Sequence, residues 1–146
     1  MNNPEYIVIH HSLTKDNKTV SWNAIRKYHL SLGWSNIGYH YGIELIGDRY
    51  EVLIGRFEDQ AGAHTRQAGM NHKSLGICFV GNYDILPPLR ERLVAGAELI
   101  VRLMRRYDIP LENVVPHSKY ATYKSCPGKF FDMQALREQI SLLMEK

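Results

Sequence analysis

Short apolar runs containing β-branched residues recur along this chain and predict five strands. They cover residues 6–10, 39–46, 49–54, 74–80 and 114–115. Gly47 and Asp48 separate the second run from the third and fit a tight hairpin turn between antiparallel strands. The fourth run, Leu-Gly-Ile-Cys-Phe-Val after Ser74, is apolar throughout, which is typical of a central strand.

Three further segments carry apolar residues three and four positions apart, the period of a helix with one buried face. The first is expected to be capped by Ser21 and to end at Gly33. The second follows Pro87 and Pro88, and the third is expected to begin at Asp132. The predicted inward faces are Trp22, Ile25, His29 and Leu32; Leu93, Ala97, Ile100, Val101 and Met104; and Met133, Leu136, Ile140 and Leu143.

Strands and helices mix along the chain without a linker, an internal repeat or a low-complexity tract. We therefore predict an α/β fold in which residues 1–146 form a single domain, a central mixed β-sheet flanked by helices. Residues 55–73 are rich in Gly, Ala, Gln and His without a clear period, which predicts a long surface loop. Loops of this length often carry functional residues.

Composition and charge narrow the function only a little. The chain has 18 Lys and Arg against 15 Asp and Glu, a scattered net charge of +3. Such a charge attracts any anionic polymer weakly, and no nucleic-acid-binding motif is recognisable. The N-terminus lacks the features of a signal peptide, and no apolar run approaches the roughly 18 residues of a membrane span. We expect synthesis in the cytoplasm, no nucleic-acid partner and no membrane insertion.

Histidine and cysteine residues near two predicted strand ends are the strongest chemical signal. His10 ends the first strand, His117 follows the last one, and Cys126 lies in a polar loop beyond it. A catalytic zinc takes three such ligands and leaves a fourth position for water. Spacing alone also allows an interpretation without a metal, in which His10 caps a strand and Cys126 is an inert thiol. Both Cys78 and Cys126 are expected to be reduced.

Several motifs follow one another along nearly the whole chain. They are Ile7-Val-Ile-His-His-Ser-Leu-Thr14, Gly33-Trp34, Gly38-Tyr-His-Tyr41, Ala63-His64, Asn71-His-Lys-Ser-Leu-Gly-Ile77 and the segment from Val115-Pro-His117 to Cys126-Pro-Gly128. In this order they resemble the amidase domain of phage lysozyme-type N-acetylmuramoyl-L-alanine amidases, whose fold is shared by peptidoglycan recognition proteins. The resemblance implies that fold, and hydrolysis of the amide between N-acetylmuramic acid and L-alanine in peptidoglycan.

The resemblance also implies roles for individual residues. One zinc ion would be held by His10, His117 and Cys126. Tyr39 and Lys124 match the family's catalytic helpers, a tyrosine and a lysine. Some amidases of this fold place a glutamate on the strand that corresponds to residues 74–80, and this chain has none there. That departure favours the tyrosine and lysine form of the mechanism.

Expectations for other polar residues follow from their places along the chain. His64 and Asn71, in the long loop, are expected to line the substrate groove. His11 is expected to turn away from the metal, because neighbouring side chains of a strand point to opposite faces. His29 and His40 are interpreted as a core histidine and a residue facing away from Tyr39. Two hairpin carboxylates, Glu44 and Glu51, are expected to face solvent.

Two other classes of function remain open from the sequence. A recognition module would bind peptidoglycan without cutting it, although the resemblance implies that such members lack the cysteine found at Cys126. A structural zinc protein would close the site with a fourth ligand, for example His11. The preferred interpretation is a monomeric phage or prophage endolysin whose partner is bacterial peptidoglycan or a muropeptide. It would act on the cell wall after release, or on muropeptides in the cytoplasm.

Overall fold

A five-stranded mixed sheet forms the centre of the molecule. The computed structural model describes residues 1–12 and 22–146. The strands are β1 (Tyr6–His11), β2 (Tyr41–Ile46), β3 (Arg49–Ile54), β4 (Ser74–Phe79) and β5 (Val114–Pro116), in the spatial order β3-β2-β4-β1-β5. Strand β2 is antiparallel to β3, and all other pairings are parallel. The predicted α/β class and mixed sheet are confirmed, with β4 in the central position.

Helices cover both faces of this sheet. They are α1 (Trp22–Ser31), α2 (Arg90–Tyr107) and α3 (Met133–Met144). The alternation of side chains divides the core. Ile7, Ile9 and Ile77 pack with α2 and α3, whereas Cys78 and Val80 pack with α1. Cys78 is a free, fully buried thiol, as a small core residue would be.

The two C-terminal helices agree with the predicted inward faces. All five apolar residues predicted for the face of α2 are buried. In α3, Leu136 and Ile140 are fully buried, and Met133 and Leu143 pack against the same core. Asp132 caps α3, because its carboxylate accepts the backbone N–H groups of Gln134 and Ala135 at 2.9 and 3.1 Å.

The end of α1 corrects one expectation. Trp22, Ile25 and His29 are buried as predicted, but Leu32 is 49% exposed. The helix ends at Ser31, and Gly33 follows with a φ of +89°, so Leu32 no longer follows the helical period. The predicted cap at Ser21 lies outside the described residues.

The hairpin and the long loop are close to expectation. Ile46 pairs with Arg49 across Gly47, whose φ of +66° suits a tight turn. The loop after β3 contains one short 3-10 segment, Gln67–His72.

The expectation of a solvent-facing Glu44 is wrong: this residue is half-buried, and its carboxylate accepts the N–H of Trp22 at 3.2 Å at the start of α1. Among the described residues, no helix is long and apolar enough to cross a membrane.

Candidate metal centre and catalytic site

Two parallel strands bring the predicted ligands together. His10 lies near the end of β1, and His117 follows β5 directly. The strands pair in parallel up to Ile9 and Pro116, so the next residue of each reaches the same sheet edge. The loop carrying Cys126 folds back onto this edge. There the Sγ of Cys126 accepts the backbone N–H of His11 at 3.4 Å. The three residues are therefore positioned by the sheet.

The ligand atoms of His10, His117 and Cys126 converge in one buried cluster. They all lie within 4.8 Å of one another. The Sγ of Cys126 is 3.7 Å from Nδ1 of His10, and the two imidazole rings are 4.4 Å apart between centroids. Nitrogen and sulfur ligands of a tetrahedral zinc ion lie about 3.6 Å apart, given the usual bond lengths. The donor set and its spacing fit one zinc ion.

Electrostatics at this cluster favours neutral imidazoles. Burial lowers the pKa of His10 well below its usual value, and neighbouring imidazoles and Lys124 add to the effect. Burial, followed by Lys124 and His11, lowers the pKa of His117 to about 4. Burial raises the pKa of the Cys126 thiol to about 11, although the His11 N–H and Lys124 act against it. Both histidines thus offer lone pairs at neutral pH, and the thiol needs a cation to ionise.

These buried histidines predict that the metal-free protein loses stability on mild acidification. Burial lowers the pKa of His64 and His40 as well as of the two ligands. Below about pH 6.5 these histidines bind protons in the unfolded chain but stay neutral in the folded chain. Proton binding therefore stabilises the unfolded state relative to the folded state. We expect the free energy of unfolding to fall by on the order of a few kcal/mol from about pH 7 to about pH 5, at about 1.4 kcal/mol per pKa unit.

Denaturant titrations in the presence of a chelator measure this dependence. The loss should continue towards about pH 4, where His117 becomes protonated in the folded state too. This range lies largely above the titration of carboxylates, so their contribution is small over most of it. An unfolding free energy that does not change between about pH 7 and about pH 5 would contradict the prediction.

A cavity of about 650 Å³ opens over the cluster. All three ligand residues line it, together with Tyr39 and Lys124. The wall contributed by α1 and the segment after it is largely apolar or aromatic: Ala24, Ile25, Tyr28, Leu32 and Trp34. One wall can therefore hold apolar or ring-shaped groups while the floor presents polar chemistry.

The structure places Tyr39 directly beside the cluster. Its ring centroid is 5.1 Å from that of His10. Burial, together with the nearby thiols of Cys78 and Cys126, raises the pKa of Tyr39 well above its usual value. The hydroxyl therefore keeps its proton at neutral pH and can donate a hydrogen bond, and it is unsuited to act as a strong base.

Lys124 lies at the rim of the same cavity. Its side chain is exposed, and its positive charge lowers the pKa of both His117 and Cys126. The backbone N–H of Lys124 donates to Ala121 at 2.9 Å, which fixes the start of the loop that leads to the ligand cysteine. An ammonium group is thus available next to the open side of the cluster.

A second, smaller cavity of about 220 Å³ lies towards the long loop and shares lining residues such as Trp34, His117 and Lys124 with the first, so the two adjoin as a larger and a smaller arm. His64 and Asn71 both line it, and contact with substrate stays a prediction for each. The Asn71 side-chain oxygen accepts the N–H groups of His64 and Thr65 at 2.9 and 2.8 Å. Asn71 therefore shapes the loop as well as lining the arm.

The other histidines take places close to those expected. His11 is buried outside the ligand cluster, and its Nδ1 accepts the N–H of Tyr83 at 3.1 Å. His29 is a core histidine whose Nδ1 accepts the N–H of Gly38 at 2.9 Å. His40 is fully buried and its Nδ1 accepts the N–H of Gly76 at 3.0 Å.

Sequence reasoning assigned no role to three residues that line or support the site. Thr65 and Ser74 are buried polar residues behind His10, and Trp34 lines both arms of the cavity. Ser74 did leave a signal, since it is the polar residue of an otherwise apolar run. Trp34 belongs to the Gly33-Trp34 motif, and that motif alone does not indicate a role for the indole ring.

Comparison with known proteins gives matches along nearly the whole chain. Residues 1–129 match the family described as N-acetylmuramoyl-L-alanine amidase. The endolysin of Enterobacteria phage T3 is 31% identical over 147 aligned residues, covering 95% of this chain and 89% of that protein. The endolysin of Escherichia phage T7 is 32% identical, covering 94% and 87% respectively.

Solved structures agree on the fold. The amidase LysC from Clostridium intestinale URNW superposes with a TM-score of 0.83 at 27% identity, covering 96% of this chain and 87% of its own. A mutant of Drosophila PGRP-LB in complex with tracheal cytotoxin gives a TM-score of 0.73 at 27% identity, with coverages of 90% and 79%. The predicted fold family is therefore confirmed.

Proposed function

This chain belongs to the N-acetylmuramoyl-L-alanine amidase family, and on that basis we propose that its activity depends on one zinc ion held by His10, His117 and Cys126. The enzyme cleaves the amide bond between N-acetylmuramic acid and L-alanine in bacterial peptidoglycan. The convergence of two imidazoles and one thiol beneath an open cavity carries the zinc proposal. When bound, the ion would polarise the amide carbonyl and lower the pKa of a water.

Two side chains supply the remaining catalytic groups in this proposal. Hydrolysis places negative charge on the carbonyl oxygen, and Lys124 is the cation at the rim that can share this charge. A thiolate ligand offsets one of the two charges of the ion, which increases the need for such a cation. Tyr39, held in its protonated form by burial, donates a hydrogen bond to the substrate or orients the water.

The shape of the cavity supports a glycopeptide substrate. The larger arm has an apolar and aromatic wall, and the smaller arm presents polar groups from the long loop. We propose that the scissile amide lies over the cluster, with sugar and peptide extending into the two arms. Binding of tracheal cytotoxin by the structurally similar PGRP-LB mutant supports a muropeptide-sized ligand. The whole chain would act as one catalytic domain, because α3, beyond the matched residues, completes the core with α2.

Product analysis on purified peptidoglycan tests the proposal. The expected result is release of new L-alanine amino termini without new reducing sugar ends. Chelation should abolish release, zinc should restore it, and metal analysis should give one ion per chain. A folded, zinc-loaded protein that releases no amine from several wall types would contradict the proposal. Binding to the same walls would then favour a recognition module.

Tyr39→Phe tests the role of the tyrosine hydroxyl. The ring packs beside His10, so the variant should keep the packing and the metal content. We expect kcat to fall on the order of 10²-fold, the usual effect of removing one transition-state hydrogen-bond donor or acid. Steady-state kinetics on a soluble muropeptide measures the change. Wild-type kcat in a zinc-loaded variant would remove Tyr39 from the mechanism.

A further inference from the structure

The two ring nitrogens of His10 meet different surroundings. Nδ1 faces the other two candidate ligands and lies 3.7 Å from Sγ of Cys126. Nε2 points into the protein, 2.9 Å from Nδ1 of His64 and 3.3 Å from the hydroxyl of Thr65. His64 and Thr65 are 9% and 1% exposed, so these contacts are nearly closed to solvent. A buried hydrogen-bond network thus lies behind the ligand.

This network continues beyond His64 and ends on a backbone carbonyl. Nε2 of His64 is 3.4 Å from the hydroxyl of Ser74, and that hydroxyl donates to the carbonyl of Met70 at 2.6 Å. Because a carbonyl only accepts, the single proton of the Ser74 hydroxyl is used there. The Ser74 oxygen must then accept from Nε2–H of His64, which leaves Nδ1 of His64 as an acceptor. The direction of donation runs from His10 to Met70.

We propose that His64, supported by Thr65 and Ser74, is a positioning residue that fixes the tautomer of His10, with the proton on Nε2 and the lone pair of Nδ1 facing the metal. This inference rests on the proposed role of His10 as a ligand. A ligand histidine whose other nitrogen donates a hydrogen bond is held in one orientation and binds the metal more tightly. The Thr65 hydroxyl can accept the same N–H, because it lies 3.3 Å from Nε2 of His10.

The surrounding backbone leaves a fitted space for the His64 ring. A Cβ atom on Gly76 would lie 2.5 Å from Cδ2 of the ring, and one on Gly62 would lie 2.8 Å from Nε2. Any larger residue at either position would push the ring away. The double acceptance by Asn71 described above fixes the backbone of His64 and Thr65. The imidazole is therefore held in place by the surrounding protein groups.

The same geometry bears on the expected contact between His64 and substrate. The ring borders the cavity, but both of its nitrogens lie within hydrogen-bond distance of protein groups. Its polar atoms are therefore already used on the protein side. The structure favours an action of His64 through His10, with substrate contact limited to the ring edge.

Two substitutions separate the hydrogen bond from the packing. His64→Leu replaces the imidazole with an apolar side chain of similar size and removes the acceptor. His64→Asn keeps a short side chain with an acceptor oxygen that can occupy the place of Nδ1. Zinc affinity, measured by competition with a chromophoric chelator, should fall about 10- to 100-fold in His64→Leu. His64→Asn should recover most of this loss.

Nitrogen NMR of the zinc-free protein gives a readout that a merely structural role would not change. The wild-type spectrum should show His10 protonated on Nε2, and His64→Leu should show a mixture of both tautomers. Protonation of His10 on Nδ1 in the wild type, or unchanged zinc affinity in a folded His64→Leu variant, would overturn the inference. If the variant does not fold, the wild-type tautomer decides alone.

Failure of the inference and failure of the proposed function give different results. A wild-type protein that binds no zinc would remove the zinc proposal, and the inference with it. A wild-type protein that binds zinc with the same affinity as His64→Leu removes only the inference. Peptidoglycan cleavage enters neither comparison, so the substrate assignment does not affect the outcome.

Discussion

Cys126→Ser is expected to abolish both zinc binding and amide hydrolysis. The sulfur lies 3.7 Å from Nδ1 of His10 in a site that is buried and otherwise built of neutral imidazoles. A serine hydroxyl is smaller and stays protonated, so it cannot replace a thiolate ligand. We expect kcat/KM to fall by on the order of 10³-fold or more, because Lewis-acid polarisation is worth several kcal/mol and each 1.36 kcal/mol is tenfold.

Thermal unfolding with and without zinc checks the same prediction without substrate. A ligand that binds only the folded state raises the melting temperature, so zinc should stabilise the wild type and leave Cys126→Ser unchanged. Cys78→Ala is the matched control, because Cys78 is the other free cysteine and is fully buried in the sheet. That control should lose some core stability but keep its response to zinc. A response to zinc in Cys126→Ser equal to that of the wild type would contradict the ligand assignment.

The fold could be predicted well because local pattern and global packing agree. The run from Ser74 to Val80 is apolar on every position but the first, and only a central strand buries both of its faces in this way. The apolar residues of α2 lie on one face of the helix, and that face packs on the sheet. Leu32 was wrongly predicted to be buried, because its spacing continues the helical pattern although the helix ends at Ser31. Helix ends depend on cap geometry, which spacing alone does not define.

Part of the candidate site could likewise be predicted from the sequence, and part of it could not. The convergence of His10 and His117 could be predicted, since parallel strands present their ends at one sheet edge. Its thiol made Cys126 a candidate ligand, but only the resemblance favoured that role over an inert thiol, because nothing local in a polar loop indicates that the loop folds back to the sheet. The network behind His10 could not be predicted at all. It depends on distances between His64, Thr65 and Ser74, and the sequence does not show that these three residues meet behind His10.

Two hairpin carboxylates have surroundings that the sequence does not predict. Glu44 and Glu51 face each other across the hairpin, and both are half-buried. Their charge predicted exposure to solvent, and nothing in the sequence shows that the N-terminus of α1 lies within hydrogen-bond distance of Glu44. Contacts between distant segments are a property of the assembled fold, so only the structure could assign this role.

Lys124→Met is expected to lower kcat strongly while leaving zinc binding intact. Methionine keeps most of the length and apolar stem of lysine but removes the positive charge. The ammonium lies at the cavity rim, close enough to lower the pKa of His117 and Cys126. Removing one group that stabilises the oxyanion costs about 10²- to 10³-fold in kcat. The change should appear in kcat more than in KM, because the charge it stabilises develops only in the transition state.

Lys119→Met is the matched control for this experiment. Lys119 is exposed on the same connection between β5 and α3, and it lies outside the set of described residues that line the cavity. Its kcat should match the wild type, which excludes a general effect of reduced positive charge on binding to an anionic wall. If Lys124→Met raised KM with kcat unchanged, Lys124 would be a substrate-binding residue. Equal losses in both variants would assign the effect to long-range attraction, which added salt would then suppress.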